Sequence, residues 1–230
     1  MDKLIVANLK MNLNFNDIVN YKKIIEESNI QNFIIAPSSI YLNAMQSSKY
    51  SLCAQNGYYV DYGAYTGEIS FLQLHHLNVK YCLIGHSERR NIFNEDYELI
   101  SKKAASCVKN NIIPILCVGE NKNERDKGNT LNAIDRQLEC VKNIDNVIIA
   151  YEPVWAIGSG CVPSVSDIEK VHLHIKNVLN SNVKILYGGS VNLSNIKEIC
   201  SNNVVDGVLI GSASVDPDEI IKMYNELKKV

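Results

Sequence analysis

The sequence has no run of like charge. Its 23 basic and 25 acidic side chains are mixed along 230 residues, for a formal net charge of −2, so it offers no basic surface for nucleic acid or an anionic membrane. No two of its seven cysteines, Cys53, Cys82, Cys107, Cys117, Cys140, Cys161 and Cys200, stand in C-x-x-C spacing, and their number is odd. That excludes a simple disulfide framework and a thiolate zinc site, and implies reduced thiols. No apolar stretch approaches the ~20 residues of a membrane span. The opening residues lack a basic segment leading into an apolar stretch and a cleavage site, and Asn8 and Lys10 break the first apolar run. The expectation is a cytoplasmic protein without nucleic-acid or membrane partners. Nucleotide motifs are missing too: there is no Walker-type lysine motif, and Gly158 and Gly160 would need a third glycine where Pro163 stands.

What is present is a repeated unit. With 46% apolar and 21% charged residues, the chain can bury a large core beneath a polar surface, and residues 1–230 read as a single domain. Short apolar runs rich in β-branched residues recur at Leu4–Ala7, Phe33–Ala36, Leu52–Ala54, Tyr81–Ile84, Ile112–Val118, Val147–Tyr151, Val183–Tyr187 and Val205–Ile210. Most lack polar alternation, which is the mark of parallel strands buried on both faces. Between them lie stretches with helical spacing, such as Asp17, Tyr21, Ile24, Ile25 and Ser28, or Val165, Ile168, Val171, Ile175 and Val178. Asn94, Ser164, and Asp216 followed by Pro217 are expected helix starts. Eight strand–helix units in this length predict an α/β fold, a closed (β/α)8 barrel, rather than an open doubly wound sheet.

In such a barrel, chemistry gathers at the C-terminal ends of the strands. Alternation puts Leu4, Val6, Asn8 and Lys10 on one face of the first strand. Read alone, Lys10 is a half-exposed lysine at a strand end; read with the other strand ends, it is a cation at the mouth. The fourth strand runs into Gly85, His86, Ser87, Glu88, Arg89 and Arg90, and the sixth ends in Tyr151, Glu152, Pro153, Val154 and Trp155. A carboxylate emerging directly from the apolar run before it is suited to act as a base. The glycine-rich stretch Ala156–Gly160 reads either as an ordinary loop or as a lid. Gly188, Gly189 and Ser190 close the seventh strand, and Gly211, Ser212 and Ala213 the eighth, each expected to lead into a helix. Glycine lets backbone N–H groups approach an anion, and barrels hold phosphate at these two loops. His172 and His174 lie two apart on one helix and His75 and His76 are adjacent, so neither pair shares a metal; all four read as surface or packing residues.

The segments Asn8–Asn12, Gly63–Ser70 and Ile84–Arg90, with YEPVWAIGSG from Tyr151 and YGGSV from Tyr187, together resemble the triosephosphate isomerase family along nearly the whole chain. The resemblance implies a glycolytic and gluconeogenic isomerase that interconverts dihydroxyacetone phosphate and D-glyceraldehyde 3-phosphate through a cis-enediolate, without metal or organic cofactor. On that reading Glu152 is the base, His86 a neutral electrophile, and Lys10 and Asn8 stabilise developing negative charge. Glu88 pairs with Lys10 or relays protons. Gly158, Ser190, Gly211 and Ser212 supply donors to the substrate phosphate. Tyr187 latches a lid over residues 154–160, whose closure keeps water from the enediolate. The resemblance further implies a homodimer, with a tetramer as the alternative, in which Thr66 of the loop Gln55–Glu68 approaches the partner's Asn8. Three positions depart from the family pattern: Leu9 for tryptophan, Cys161 for lysine and Ser212 for glycine. Leu9 is expected to pack outside the barrel interior.

Two other readings remain. A pentose-phosphate epimerase would share the glycine loops but needs paired histidine and aspartate metal ligands at strand ends, which the sequence lacks. A catalytically silent phosphate-binding scaffold would have no use for Lys10, His86 and Glu152 in one mouth.

Overall fold

The computed structural model describes residues 3–157, 162–179 and 182–229. Eight parallel strands close into a barrel in sequence order: β1 (Leu4–Asn8), β2 (Phe33–Ala36), β3 (Ser51–Ala54), β4 (Tyr81–Ile84), β5 (Ile113–Val118), β6 (Ile148–Tyr151), β7 (Lys184–Tyr187) and β8 (Gly207–Ile210). Each expected run forms a strand. The largest displacement of an end is at β8, where the Val205 N–H is drawn into a turn onto the Asn202 carbonyl at 3.2 Å.

The apolar runs do not alternate because both faces of the sheet are covered. Val6, Ile34, Leu83, Ile115, Ile148, Leu186 and Leu209 fill the barrel interior, while Ile5, Ile35, Ile84, Leu116, Ile149, Ile185 and Ile210 pack outward beneath the helices. Ala36 and Ala150 also belong to the inner cluster; being small and near strand C-termini, they leave room at the mouth. The barrel closes by pairing β1 with β8 at Leu4 and Gly207. Glycine is needed there, since a Cβ would lie 2.1 Å from the Leu4 carbonyl oxygen.

Around the barrel run α1 (Phe15–Glu27), α2 (Phe71–His76), α3 (Ser87–Asn91), α4 (Tyr97–Lys109), α5 (Lys122–Asp126), α6 (Thr130–Leu138), α7 (Val165–Val178), α8 (Ile196–Ser201) and α9 (Pro217–Leu227). Alternation is incomplete: between β2 and β3 the chain makes only a 3-10 turn at Ser39–Tyr41. Pro37 and the serines at 38, 39, 47 and 48 favour turns over a continuous helix. Ser164 and Asp216 cap α7 and α9 as expected. Asn94 does not cap a helix. It sits in the left-handed region at φ 53°, and Asp96 caps α4 instead, its carboxylate accepting the Leu99 N–H at 2.8 Å.

Candidate active site

Five strand ends meet at the mouth around a cavity of about 360 Å³ whose wall includes Asn8, Lys10, His86, Glu152, Ser190, Gly211 and Ser212. Its acid–base pair is set by β4 and β6. Gly85 adopts φ 66°, open to glycine at little cost, and turns the chain so that His86 becomes the N-cap of α3. The Glu88 backbone N–H donates to His86 Nδ1 at 3.2 Å, and His86 Nε2 lies 3.3 Å from Glu152 Oε1. An Nδ1 that accepts a hydrogen bond leaves the proton on Nε2. The Glu88 carboxylate, 3.7 Å from Nδ1, is too far to compete for it. Burial works against a charged imidazolium at His86 and Lys10 adds to that opposition, but the charge and hydrogen bond of Glu152, together with the charge of Glu88, outweigh them and hold the pKa above the ordinary histidine value.

Glu152 is buried, and its Oε2 has no hydrogen-bond partner among the described residues. Glycines make its berth. A Cβ at Gly119 would lie 1.8 Å from the Glu152 carbonyl oxygen, and one at Gly188 would lie 2.7 Å from Glu152 Cγ. The Glu152 backbone N–H donates to the Val118 carbonyl at 2.7 Å, which extends the β5–β6 ladder up to the site.

Lys10 reaches the mouth by a different route from the one alternation suggests. β1 ends at Asn8, and Lys10 follows in the left-handed region at φ 51°, a strained state for a residue with a side chain. Three contacts hold it there. Its N–H donates to Asn8 Oδ1 at 3.1 Å, its carbonyl accepts from Gln55 Nε2 at 2.7 Å, and its Nζ meets Glu88 Oε1 at 2.6 Å. Leu9 is buried in the outer core, as its place in the alternation requires.

The glycine loops face the same cavity, although only one leads directly into helical structure. Gly211 passes into a 3-10 helix at Ser212–Val215, whereas α8 starts at Ile196, several residues beyond Ser190. The Ser190 hydroxyl donates to the Ala156 carbonyl at 2.7 Å, which ties this loop to the segment after β6. Gly158 and Cys161 lie outside the described residues. The Tyr187 hydroxyl is buried without a partner among the described residues. His172 is fully buried with Nδ1 3.2 Å from the Val204 carbonyl oxygen, and His174 pairs with Asp135 at 2.6 Å. Among the described residues no three His, Cys, Asp or Glu side chains converge as metal ligands, and no helix is long and apolar enough to cross a membrane.

Sequence reasoning missed several supports. Gln55 donates to both the Ala36 and Lys10 carbonyls, and Ser214 donates to the Asn8 carbonyl at 3.1 Å. Glu120 accepts from the Tyr151 hydroxyl at 3.1 Å and from Trp155 Nε1 at 2.9 Å, anchoring the start of the segment after Glu152. These side chains act on groups distant in sequence, so no local pattern marks them.

A family model described as Triosephosphate isomerase matches residues 3–227. A triosephosphate isomerase of Aquifex aeolicus is 40% identical over 97% of this chain and 98% of its own length. One of Mesomycoplasma hyopneumoniae is 41% identical, with 97% and 98% covered, and one of Blochmanniella floridana is 39% identical, with 96% and 94% covered.

Proposed function

The chain belongs to the triosephosphate isomerase family, and from that premise we propose which of its residues carry out the interconversion of dihydroxyacetone phosphate and D-glyceraldehyde 3-phosphate. Glu152 removes a proton from the carbon beside the substrate carbonyl. The electron pair released forms the carbon–carbon double bond of the enediolate, and the carbonyl electrons move to oxygen. His86 Nε2–H and the Lys10 ammonium stabilise that oxygen as its charge develops, with Asn8 beside them. His86 then relays a proton between the two oxygens, and Glu152 returns its proton to the neighbouring carbon. Glu88 holds the Lys10 ammonium in place. Backbone and hydroxyl groups at Gly158, Ser190, Gly211 and Ser212 bind the phosphate, which does not react.

The observation that carries this assignment is the 3.3 Å approach of His86 Nε2 to a buried Glu152 carboxylate. A neutral histidine beside a glutamate base is what family membership implies; the Glu88 N–H facing Nδ1 supports it here. In the free site Glu152 raises the His86 pKa, but burial and Lys10 both oppose the charged form. Once a substrate carbonyl replaces Glu152 as the Nε2–H acceptor, those opposing influences favour the neutral ring. A silent scaffold is disfavoured, because Lys10, His86 and Glu152 share one cavity.

Residues 1–230 act as one domain, the protein works in the cytoplasm without a metal or organic cofactor, and two copies associate. Supporting the association is a second cavity of about 390 Å³ beside Lys10 and His86, bordered by Met11, Gly67 and Phe93. Met11 is 93% exposed, and Tyr62 at the tip of the loop after β3 is 76% exposed, which suits these groups to cover one another between copies.

The test of the site is a coupled assay of glyceraldehyde 3-phosphate isomerisation with chelator present. Replacing Glu152 by Gln should lower kcat by about a thousandfold with little change in KM. A variant that keeps the native kcat removes Glu152 from the role of base.

A further inference from the structure

Arg90 takes no part in the chemistry just described, yet its guanidinium lies directly behind the acid–base pair. Its Nε donates to the Gly85 carbonyl at 2.7 Å, the peptide that precedes His86. Its Nη2 donates to the Cys117 carbonyl at 3.2 Å, near the C-terminal end of β5, the strand paired with β6 just before Glu152. The fit over Gly85 is close: a Cβ there would stand 2.7 Å from Arg90 Nη2. The Tyr97 ring covers the outer face of the guanidinium at 5.5 Å.

Both clamped carbonyls matter to the pair. Gly85 is the left-handed residue that aims His86. The segment from Cys117 to Gly119 is the floor on which Glu152 rests, through the Glu152 N–H bond to Val118 at 2.7 Å and the close contact of Gly119 with the Glu152 carbonyl. β4 and β5 are already hydrogen-bonded within the sheet, but that ladder ends at Ile84 and Leu116, before either Gly85 or Gly119. Beyond it, one planar group grips both chains.

We propose that Arg90 is a positioning residue for the isomerisation, fixing the separation of His86 and Glu152 by bridging the ends of β4 and β5. A guanidinium can do this because its donors are held in one rigid plane. A lysine ammonium is a single point on a flexible stem and cannot reproduce the bridge. The proposal rests on His86 and Glu152 being the reacting pair. Arg90 does not line the cavity that the glycine loops face, so substrate affinity should be spared.

The test compares Arg90→Lys and Arg90→Gln with the native protein, each confirmed folded by thermal unfolding. A small misplacement of catalytic groups predicts a kcat lowered by about 30-fold or more, with KM and the inhibition constant of inorganic phosphate changed less than about threefold. Histidine ¹⁵N resonances supply a readout independent of turnover. Native His86 should show one protonated and one unprotonated ring nitrogen, and in Arg90→Gln the two signals should move together as the tautomers mix. Native-like kcat and unchanged His86 signals overturn the proposal. So does a loss of kcat matched by an equal loss of phosphate affinity, which marks general loosening. Should both variants fail to fold, Tyr97→Leu strips the guanidinium's outer cover and leaves Arg90 in place. A kcat several-fold lower at unchanged phosphate affinity then supports the bridge, and unchanged kcat with unchanged His86 signals overturns it. Were the native protein itself inactive on the triose phosphates, the assigned reaction would fail while the His86 resonances still decided the role of Arg90.

Discussion

Among the buried side chains that carry a polar atom without a partner among the described residues are Glu152, at Oε2, and His172, at Nε2, and the two are set differently. Glu152 lines the cavity at the mouth, where the proposed reaction would place the substrate's proton on its carboxylate. His172 is enclosed between β6 and α7, its ring edge-on to Tyr151 at 6.0 Å, and burial lowers its pKa from 6.5 to about 4. The unfolded chain therefore takes up a proton near pH 6.5 that the folded chain refuses until about pH 4. Within that window the unfolded state binds more protons, so stability falls as pH falls. Between about pH 7 and about pH 5 the loss amounts to roughly 2 kcal/mol. His86, whose pKa is raised, contributes in the opposite sense, with stability present at low pH and lost as pH rises through its folded value. Urea unfolding at the two pH values should show His172→Gln losing less stability on acidification than the native protein; equal losses would assign the acid sensitivity elsewhere. At this scale the residues proposed to react were legible because each stands at or just beyond the end of an apolar strand run. Gln55, Ser214 and Arg90 were not, since each bonds a backbone carbonyl in a different strand–helix unit.

At the scale of elements, the strands could be read because both of their faces are buried, which leaves unbroken apolar runs whatever the details of packing. Helix boundaries were less legible. Asn94 and Asp96 are both good capping residues, and the choice between them depends on the left-handed turn at Asn94 that follows α3. If Asp96 is the cap, Asp96→Ala should cost about 1 kcal/mol in thermal unfolding, while Asn94→Gly should be near neutral. The reverse order of effects would return the cap to Asn94. The missing helix between β2 and β3 has a related cause: a serine-rich connection offers the backbone side-chain partners that compete with helical hydrogen bonds.

For the molecule as a whole, closure of the barrel brings Lys10 from β1, His86 from β4 and Glu152 from β6 to one cavity, a convergence that no local pattern could display. The exposed Met11 and Tyr62 lie outside that logic and are the ground for the proposed association. Sedimentation at micromolar concentration should give about twice the 25.8 kDa chain mass. A fully active monomer would contradict a paired state, and a mass near four chains would favour the tetramer. The central claim is that Glu152 shuttles a proton between adjacent substrate carbons, and turnover in deuterium oxide followed by proton NMR tests it most directly. The native protein should release product with deuterium on the carbon that received the proton, because the carboxyl proton of Glu152 exchanges with solvent before transfer, and Glu152→Gln should give neither product nor exchange within the same time. Deuterium entering substrate or product at the native rate in that variant would contradict the account.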